Sequence, residues 1–234
     1  LSCIDILSIL YFKYLKINKN NFNSKKRNYF ILSKGHAASA LYACLYLKKI
    51  ITKKQLLSYS DKDSIIEEHP NIKIPGVECS TGSLGHGLPF GCGLALNKSI
   101  YNKKNKVFVL LSDGECNEGS VWESFLFASQ KKLNNLTVII DKNKWQATGK
   151  SNEILDLNKL EKKLKDFNFS IYNINGNDLF QLDKALKTKT KNTKIIIANT
   201  VKGKGVSFME NDNNWHYRSP NRLETIKSFK QLKI

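Results

Sequence analysis

The stretch 106–145, KVFVLLSDGECNEGSVWESFLFASQKKLNNLTVIIDKNKW, decides the fold. Two short apolar runs, 106–111 and 136–140, flank a segment at 118–133 whose apolar residues recur at helical spacing. Runs of five or six residues rich in Val, Ile and Leu, each ending at polar turn residues, are the profile of strands buried on both faces. Strand, helix and strand in that order predict a parallel βαβ unit.

Outward from this unit the rhythm continues. Residues 155–166 read as helix, 170–174 as strand, 178–187 as helix and 194–201 as strand. Upstream, 3–15 reads as an amphipathic helix, 18–28 as a polar loop and 36–49 as a second helix. A turn-rich section with Pro70, Pro75 and Gly76 leads to TGSLGHG (81–87), a glycine-rich loop that runs into a helix of small residues. The expectation is an α/β fold, a doubly wound, mostly parallel sheet with helices on both faces. No low-complexity linker divides the chain, so residues 1–234 are read as one domain.

Composition bounds the function classes. Thirty-eight basic against 20 acidic residues leave a net charge of +18, which raises a nucleic acid or another polyanion as partner. Only Arg27, Arg218 and Arg222 are arginines, however, and the other 35 basic residues are lysines spread along the chain. Base and phosphate readout favours arginine forks, so specific nucleic-acid binding is not expected. The Lys, Asn and Ile bias fits drift in an AT-rich coding sequence. Five cysteines, an odd number without a C-x-x-C pair, fit reduced thiols of a cytoplasmic protein. No apolar run approaches the ~20 residues of a membrane span.

In an open parallel sheet, ligands bind beyond the carboxyl ends of the strands. The residues to inspect are therefore 112–115, 141–145, 176–178 and 202–205. Asp113 and Asn143 stand thirty residues apart at two successive strand ends. A carboxylate, an amide oxygen and a nearby backbone carbonyl are hard donors suited to Mg²⁺ or Ca²⁺ shared with phosphate oxygens. Gly114 leads toward a helix N-terminus, where free N–H groups favour phosphate. The same residues also suit a helix cap and a turn, and spacing alone does not separate the two. No G-x-x-x-x-G-K-[ST] is present and G-x-G-x-x-G is incomplete, with Phe208 in place of its last glycine. His and Cys lack zinc-ligand spacing.

The run Ser112-Asp113-Gly114 … Asn134-Asn135 … Asp141-Lys142-Asn143 resembles the thiamine diphosphate motif. Five segments in order resemble the N-terminal half of transketolase: LSKGHAASALYA (32–43), HPNIKIPGVECSTGSLGHGL (69–88), LLSDGECNEGSVWES (110–124), IIDKNKWQATG (139–149) and NTVKGKGVSFMENDNNWH (199–216). Trp122 and KGKGVSFMEN look most like the split type, in which this half is a separate subunit.

The resemblance implies thiamine diphosphate and Mg²⁺ (or Ca²⁺) as cofactors. It makes Asp113 and Asn143 side-chain metal ligands and Trp145 a carbonyl ligand. Gly114 would meet the diphosphate, with Gly82, Ser83 and Leu84 in the loop beside the cofactor. Glu118 would join the carboxylate network that links two cofactor sites across a dimer. His36, His69 and His216 would line the diphosphate and substrate channel as catalytic and cofactor-contacting groups. His86 stands where the family usually has Gln, and Ser112 where it has the first glycine of GDG. The family's SGHxG motif would immediately precede LSCIDIL, so the domain is expected to lack its extreme N-terminus.

The implied activity is transfer of a two-carbon ketol unit from a ketose phosphate to an aldose phosphate. The family's pyrimidine-binding domain, with its activating glutamate, does not follow in this chain. The expected partner is a C-terminal transketolase half or subunit, in a hetero-oligomer with a dimeric core. Alternatives are a half-subunit of a 1-deoxyxylulose-5-phosphate synthase-like or 2-oxoacid dehydrogenase-like enzyme, or a basic nucleic-acid-binding module. Lys202 and Lys204 could steer anionic sugars, while Glu67, Glu68 and Glu115 read as solvated. Asp178 reads as a helix cap.

Overall fold

The computed structural model describes residues 1–157 and 159–233. The chain opens on α1 (Ile4–Ile9), which widens into a π-helical turn over Leu10–Tyr14, where the Leu15 N–H reaches the Leu10 carbonyl at 2.8 Å. After the polar loop comes β1 (Tyr29–Leu32), a strand that the sequence pattern does not mark. Its four residues are all buried and too few to display a period.

A helical turn then feeds α2 (Ala38–Leu47), followed by α3 (Lys53–Leu57) with a Thr52–Gln55 capping box. The glycine-rich loop runs into α4 (Gly87–Ile100). The predicted βαβ unit follows as β2 (Val107–Ser112), α5 (Gly119–Gln130) and β3 (Leu136–Lys142). Next come α6 (Ser151–Ile154) and α7 (Leu160–Lys165), so the helix expected over 155–166 is shorter. Residue 158 of that stretch lies outside the described residues. The chain continues through β4 (Ser170–Asn175), α8 (Leu179–Lys187), β5 (Lys194–Asn199) and α9 (Arg222–Leu232).

The Asp178 carboxylate caps α8 as read, accepting from the N–H groups of Phe180 at 2.9 Å and Gln181 at 3.1 Å. At the other end, Lys194 Nζ donates to the carbonyls of Ala185, Leu186 and Thr188 and so closes α8.

The strands order β1-β2-β3-β5-β4, with every neighbouring pair parallel. Successive side chains point to opposite faces and divide the apolar residues into two layers. Phe30, Leu32, Phe108, Leu110, Ile139 and Ile196 pack on one face with α1, α2 and α8. Ile31, Val107, Val109, Leu111, Val138 and Ile197 pack on the other with α4, α5 and α7. Helices cover both faces, as a parallel sheet requires. Full burial of a side chain such as Phe108 or Phe125 contributes about 1.5–3 kcal/mol. Register sets Ser112 beside Asp141 and Asp141 beside Ala198, so the carboxyl ends of the central strands are level.

Four of the five cysteines are buried, and all five are free thiols. Among the described residues no helix is long and apolar enough to cross a membrane.

Candidate functional site

A cavity of about 790 Å³ opens at the carboxyl edge of the sheet. Its wall includes residues that follow four of the five strands: Lys34 and His36 after β1, Gly114 after β2, Asn143 and Trp145 after β3, and Lys202 after β5. Gly82 and Leu84 contribute from the glycine-rich loop, His216 from the segment before α9, and Phe229 from α9 itself. The segment after β4 is absent from this wall. There Asp178 is spent on its cap, and the Asn177 side chain bridges Asp5 and the Val201 N–H, each at 2.9 Å.

Asp113 ties the first two strand ends together. Its Oδ2 accepts from the Lys144 N–H at 2.9 Å and the Ser151 hydroxyl at 3.0 Å, and its Oδ1 from the Gly114 N–H at 3.0 Å. The carboxylate is thereby held against the backbone next to Asn143. Asn143 Oδ1 accepts from the Trp145 N–H at 2.9 Å. Hydrogen bonds from Gln146 to Gly149 and from Ser151 to Lys144 flank Trp145 and leave its carbonyl outside the pairing. Burial pushes the Asp113 carboxyl above its usual range, and the neighbouring Asp141 charge adds to this.

Asp141 is wholly buried in a different setting. Its Oδ2 pairs with Lys34 Nζ at 2.7 Å and accepts from the Ser2 hydroxyl at 2.7 Å, while its Oδ1 accepts from the Thr200 hydroxyl. Burial alone would raise this carboxyl, but the Lys34 charge and these hydrogen bonds bring it below the ordinary carboxylate range. Asn143 Nδ2 reaches the Ser2 hydroxyl at 3.4 Å, so the network ends at the cavity.

Glu115 corrects the sequence reading of a solvated side chain: it is fully buried. One oxygen accepts from the Ser33 hydroxyl and the Gly85 N–H, the other from the Ser112 N–H. It thus pins the glycine-rich loop to the ends of β1 and β2. Gly85 sits at φ +82°, where a Cβ would also come within 2.8 Å of Glu118 Cβ, so the loop needs glycine there. Glu67 and Glu68 are exposed as read.

The His36 and His216 rings face each other with centroids 5.6 Å apart. His36 opens to solvent within the cavity, yet the surrounding walls and the Lys34 charge hold its pKa below the ordinary value. Burial, then the charges of Lys202 and Lys34, lower His216 in the same direction. The other predicted residues stand at the margin. His69 is exposed, with its ring against Gly82, where a Cβ would lie 3.1 Å from His69 Cδ2. Ser83 and Glu118 are exposed as well, and the His86 ring rests on the Leu84 carbonyl at 3.2 Å.

Among the described residues no group of three or more His, Cys, Asp or Glu side chains is placed to hold a metal. The donor set at Asp113 and Asn143 is one carboxylate, one amide and one carbonyl, which suits a cation whose other ligands are phosphate oxygens. Gln146 Nε2 is a buried donor without a partner, and its side chain lies where a Cβ on Gly114 would come within 2.8 Å. With Lys34 and Lys202 close by, the cavity is equipped for an anion. Lys34, Asp141, Glu115 and Gln146 are the polar groups here that sequence reasoning missed. The Lys34 ammonium finds its partner 107 residues away, a pairing no local pattern announces.

Comparison with known proteins agrees with this geometry. Residues 1–232 match the family described as transketolase, thiamine diphosphate binding domain. The chain is 40% identical to an apulose-4-phosphate transketolase subunit of Actinobacillus succinogenes, over all of this chain and 86% of that protein. It is 33% identical to the 6-deoxy-6-sulfo-D-fructose transketolase subunit SqwG of a Clostridium species, over 90% of this chain and 78% of that one. Among solved structures, transketolase from Campylobacter jejuni superposes with a TM-score of 0.93 at 29% identity. That match covers all of this chain but spans only 38% of the Campylobacter chain. The chain belongs to the transketolase family, in which it matches the thiamine diphosphate-binding domain.

Proposed function

We propose that residues 1–234 form the thiamine diphosphate-binding component of a transketolase. It would act with a partner chain that carries the pyrimidine-binding domain. The reaction is transfer of a two-carbon ketol unit from a ketose phosphate to an aldose phosphate. The observation that carries this reading is the convergence of Gly114, Asn143, His36 and His216 at one cavity with an unpartnered buried donor, Gln146 Nε2, while Asp113 is bonded behind that wall to the N–H groups of Gly114 and Lys144. The partner is supported by relatives whose names designate them as transketolase subunits.

The residues present fit the cofactor. Asp113, Asn143 and the Trp145 carbonyl would hold Mg²⁺ (or Ca²⁺), and Gly114, Gln146 and Lys202 would face the diphosphate. When bound, thiamine diphosphate supplies a nucleophilic carbon able to accept and release the two-carbon unit. The protein's own share is binding, orientation and proton management. Neutral imidazoles at His36 and His216 would donate hydrogen bonds to carbonyl and hydroxyl oxygens, and His36 would pass protons at its ring nitrogens. His69 would narrow the channel above Gly82. Glu118, exposed beside Gly85, would meet its counterpart in a dimeric core. Relatives act by name on apulose 4-phosphate and on a sulfonated sugar, which share an anionic group, so the lysines of the cavity suit that substrate class. The buried free thiols suit a cytoplasmic protein.

Calorimetry with thiamine diphosphate and Mg²⁺ tests the reading. The wild-type protein with its partner should bind both together, and Asp113→Ala should weaken binding at least about 100-fold, more than loss of a supporting residue would. Equal affinities in the two proteins, or no binding by the wild type, would overturn it.

A further inference from the structure

Lys202 and His216 lie side by side on the cavity wall, with Nζ 3.2 Å from Nδ1. Lys34, the cavity's other lysine, has a carboxylate partner. Among the described residues Lys202 has none within ion-pair distance, and the imidazole is the only hydrogen-bond partner of its ammonium. We propose that Lys202 is a positioning residue that fixes the tautomer of His216. An ammonium carries three donors and no acceptor, so Nδ1 of the ring must be the acceptor and the ring proton must sit on Nε2. Among the described residues Nε2 has no protein partner, and the ring stands 5.6 Å from that of His36. His216 therefore presents an N–H to the cavity's contents. Protonation at Nδ1 would break the contact and set two cations against each other, so the ring is held neutral as a donor.

This inference rests on reading the cavity as the ketol-transfer site, and it assigns His216 a direction there. His216 donates to a substrate or cofactor oxygen through Nε2 and does not serve as a base through Nδ1. A base at that position would need a ring nitrogen with a free lone pair, and Lys202 occupies the one available.

The test is long-range ¹H–¹⁵N correlation of the histidine-labelled protein near pH 7.5, with the His216 signals assigned from His216→Gln. Wild type should show the Nε2–H form alone. Lys202→Met should raise the Nδ1–H form about tenfold or more, the effect of removing a charge-assisted hydrogen bond. Lys202→Arg, which also only donates, should restore the wild-type pattern. Lys204→Met, an exposed lysine on the same loop, should leave it unchanged. An Nδ1–H ring in wild type, or an unaltered tautomer ratio in a folded Lys202→Met protein, overturns the proposal. Thiamine diphosphate titrations on the same samples keep the two readings apart. A locked Nε2–H ring without cofactor binding removes the ketol-transfer reading and sustains the positioning role; cofactor binding with an Nδ1–H ring does the reverse.

Discussion

Asp113 and Asp141 end neighbouring parallel strands, are both buried, and have opposite electrostatic fates. Asp141 has a lysine ammonium and two hydroxyls, and its carboxyl is stabilised as the anion. Asp113 has two backbone N–H groups and one hydroxyl but no cation within ion-pair distance among the described residues, and its carboxyl is pushed toward the neutral form. A buried carboxylate already matched by a cation holds structure together. One that is ordered by neutral donors next to a cavity is suited to a cation from solution.

Breaking this contrast gives the largest expected effect. Asp141→Ala leaves Lys34 charged, buried and unpaired, and should cost about 3–5 kcal/mol in urea unfolding. Asp113→Ala should cost clearly less in the same assay, with its main damage confined to cofactor affinity. If the two variants unfold alike, the division between a structural and a ligand-binding carboxylate fails. Glu115→Gln comes next, because one amide oxygen cannot replace two carboxylate oxygens and its NH₂ must face a backbone donor. A loss of about 1–3 kcal/mol is expected, and a neutral outcome would show that the glycine-rich loop is held by other contacts. Asp178→Ala at the cap of α8 should lower the thermal midpoint slightly and leave cofactor binding untouched.

The smallest effect is a pH slope. His36 has a lowered pKa in the folded protein, so the unfolded chain binds its proton first as pH falls. Stability is then present above about pH 6.5 and declines below it. Thermal midpoints between pH 8 and pH 5.5 should decline less in His36→Gln than in wild type. An identical slope would mean that the ring titrates normally.

The parts of the fold that were legible are those where chemistry repeats locally. The runs at 106–111 and 136–140 are long enough to show burial on both faces, and the cavity lining starts just beyond each, at Ser112 and Asn143. The strand Tyr29–Leu32 is too short to carry such a signal and is recognisable only by its pairing with Val107–Leu110. Asp113 and Asn143 could be picked out because strand ends and oxygen donors coincide there. Glu115 could not: a polar residue in a turn reads as solvated until the Ser33 hydroxyl and the Gly85 N–H close over it. The helix Arg222–Leu232 also went unread, since much of its apolar surface, including Leu223 and Phe229, remains exposed.

The two hydrogen-bonded networks behind the cavity differ in how much chain each must bring together. Asp113 reaches Lys144 across 31 residues, within one βαβ unit, whereas Lys34 reaches Asp141 across 107 and Ser2 reaches it across 139. Closing the longer loop costs about 1 kcal/mol more in chain entropy, and non-local contacts of this kind slow folding. The Asp113 arm is thus a local product of β2–α5–β3, while the lysine arm closes only once α1 and β1 have docked. During synthesis Ser2 and Lys34 must wait for their partner until Asp141 has been made and its strand has joined the sheet.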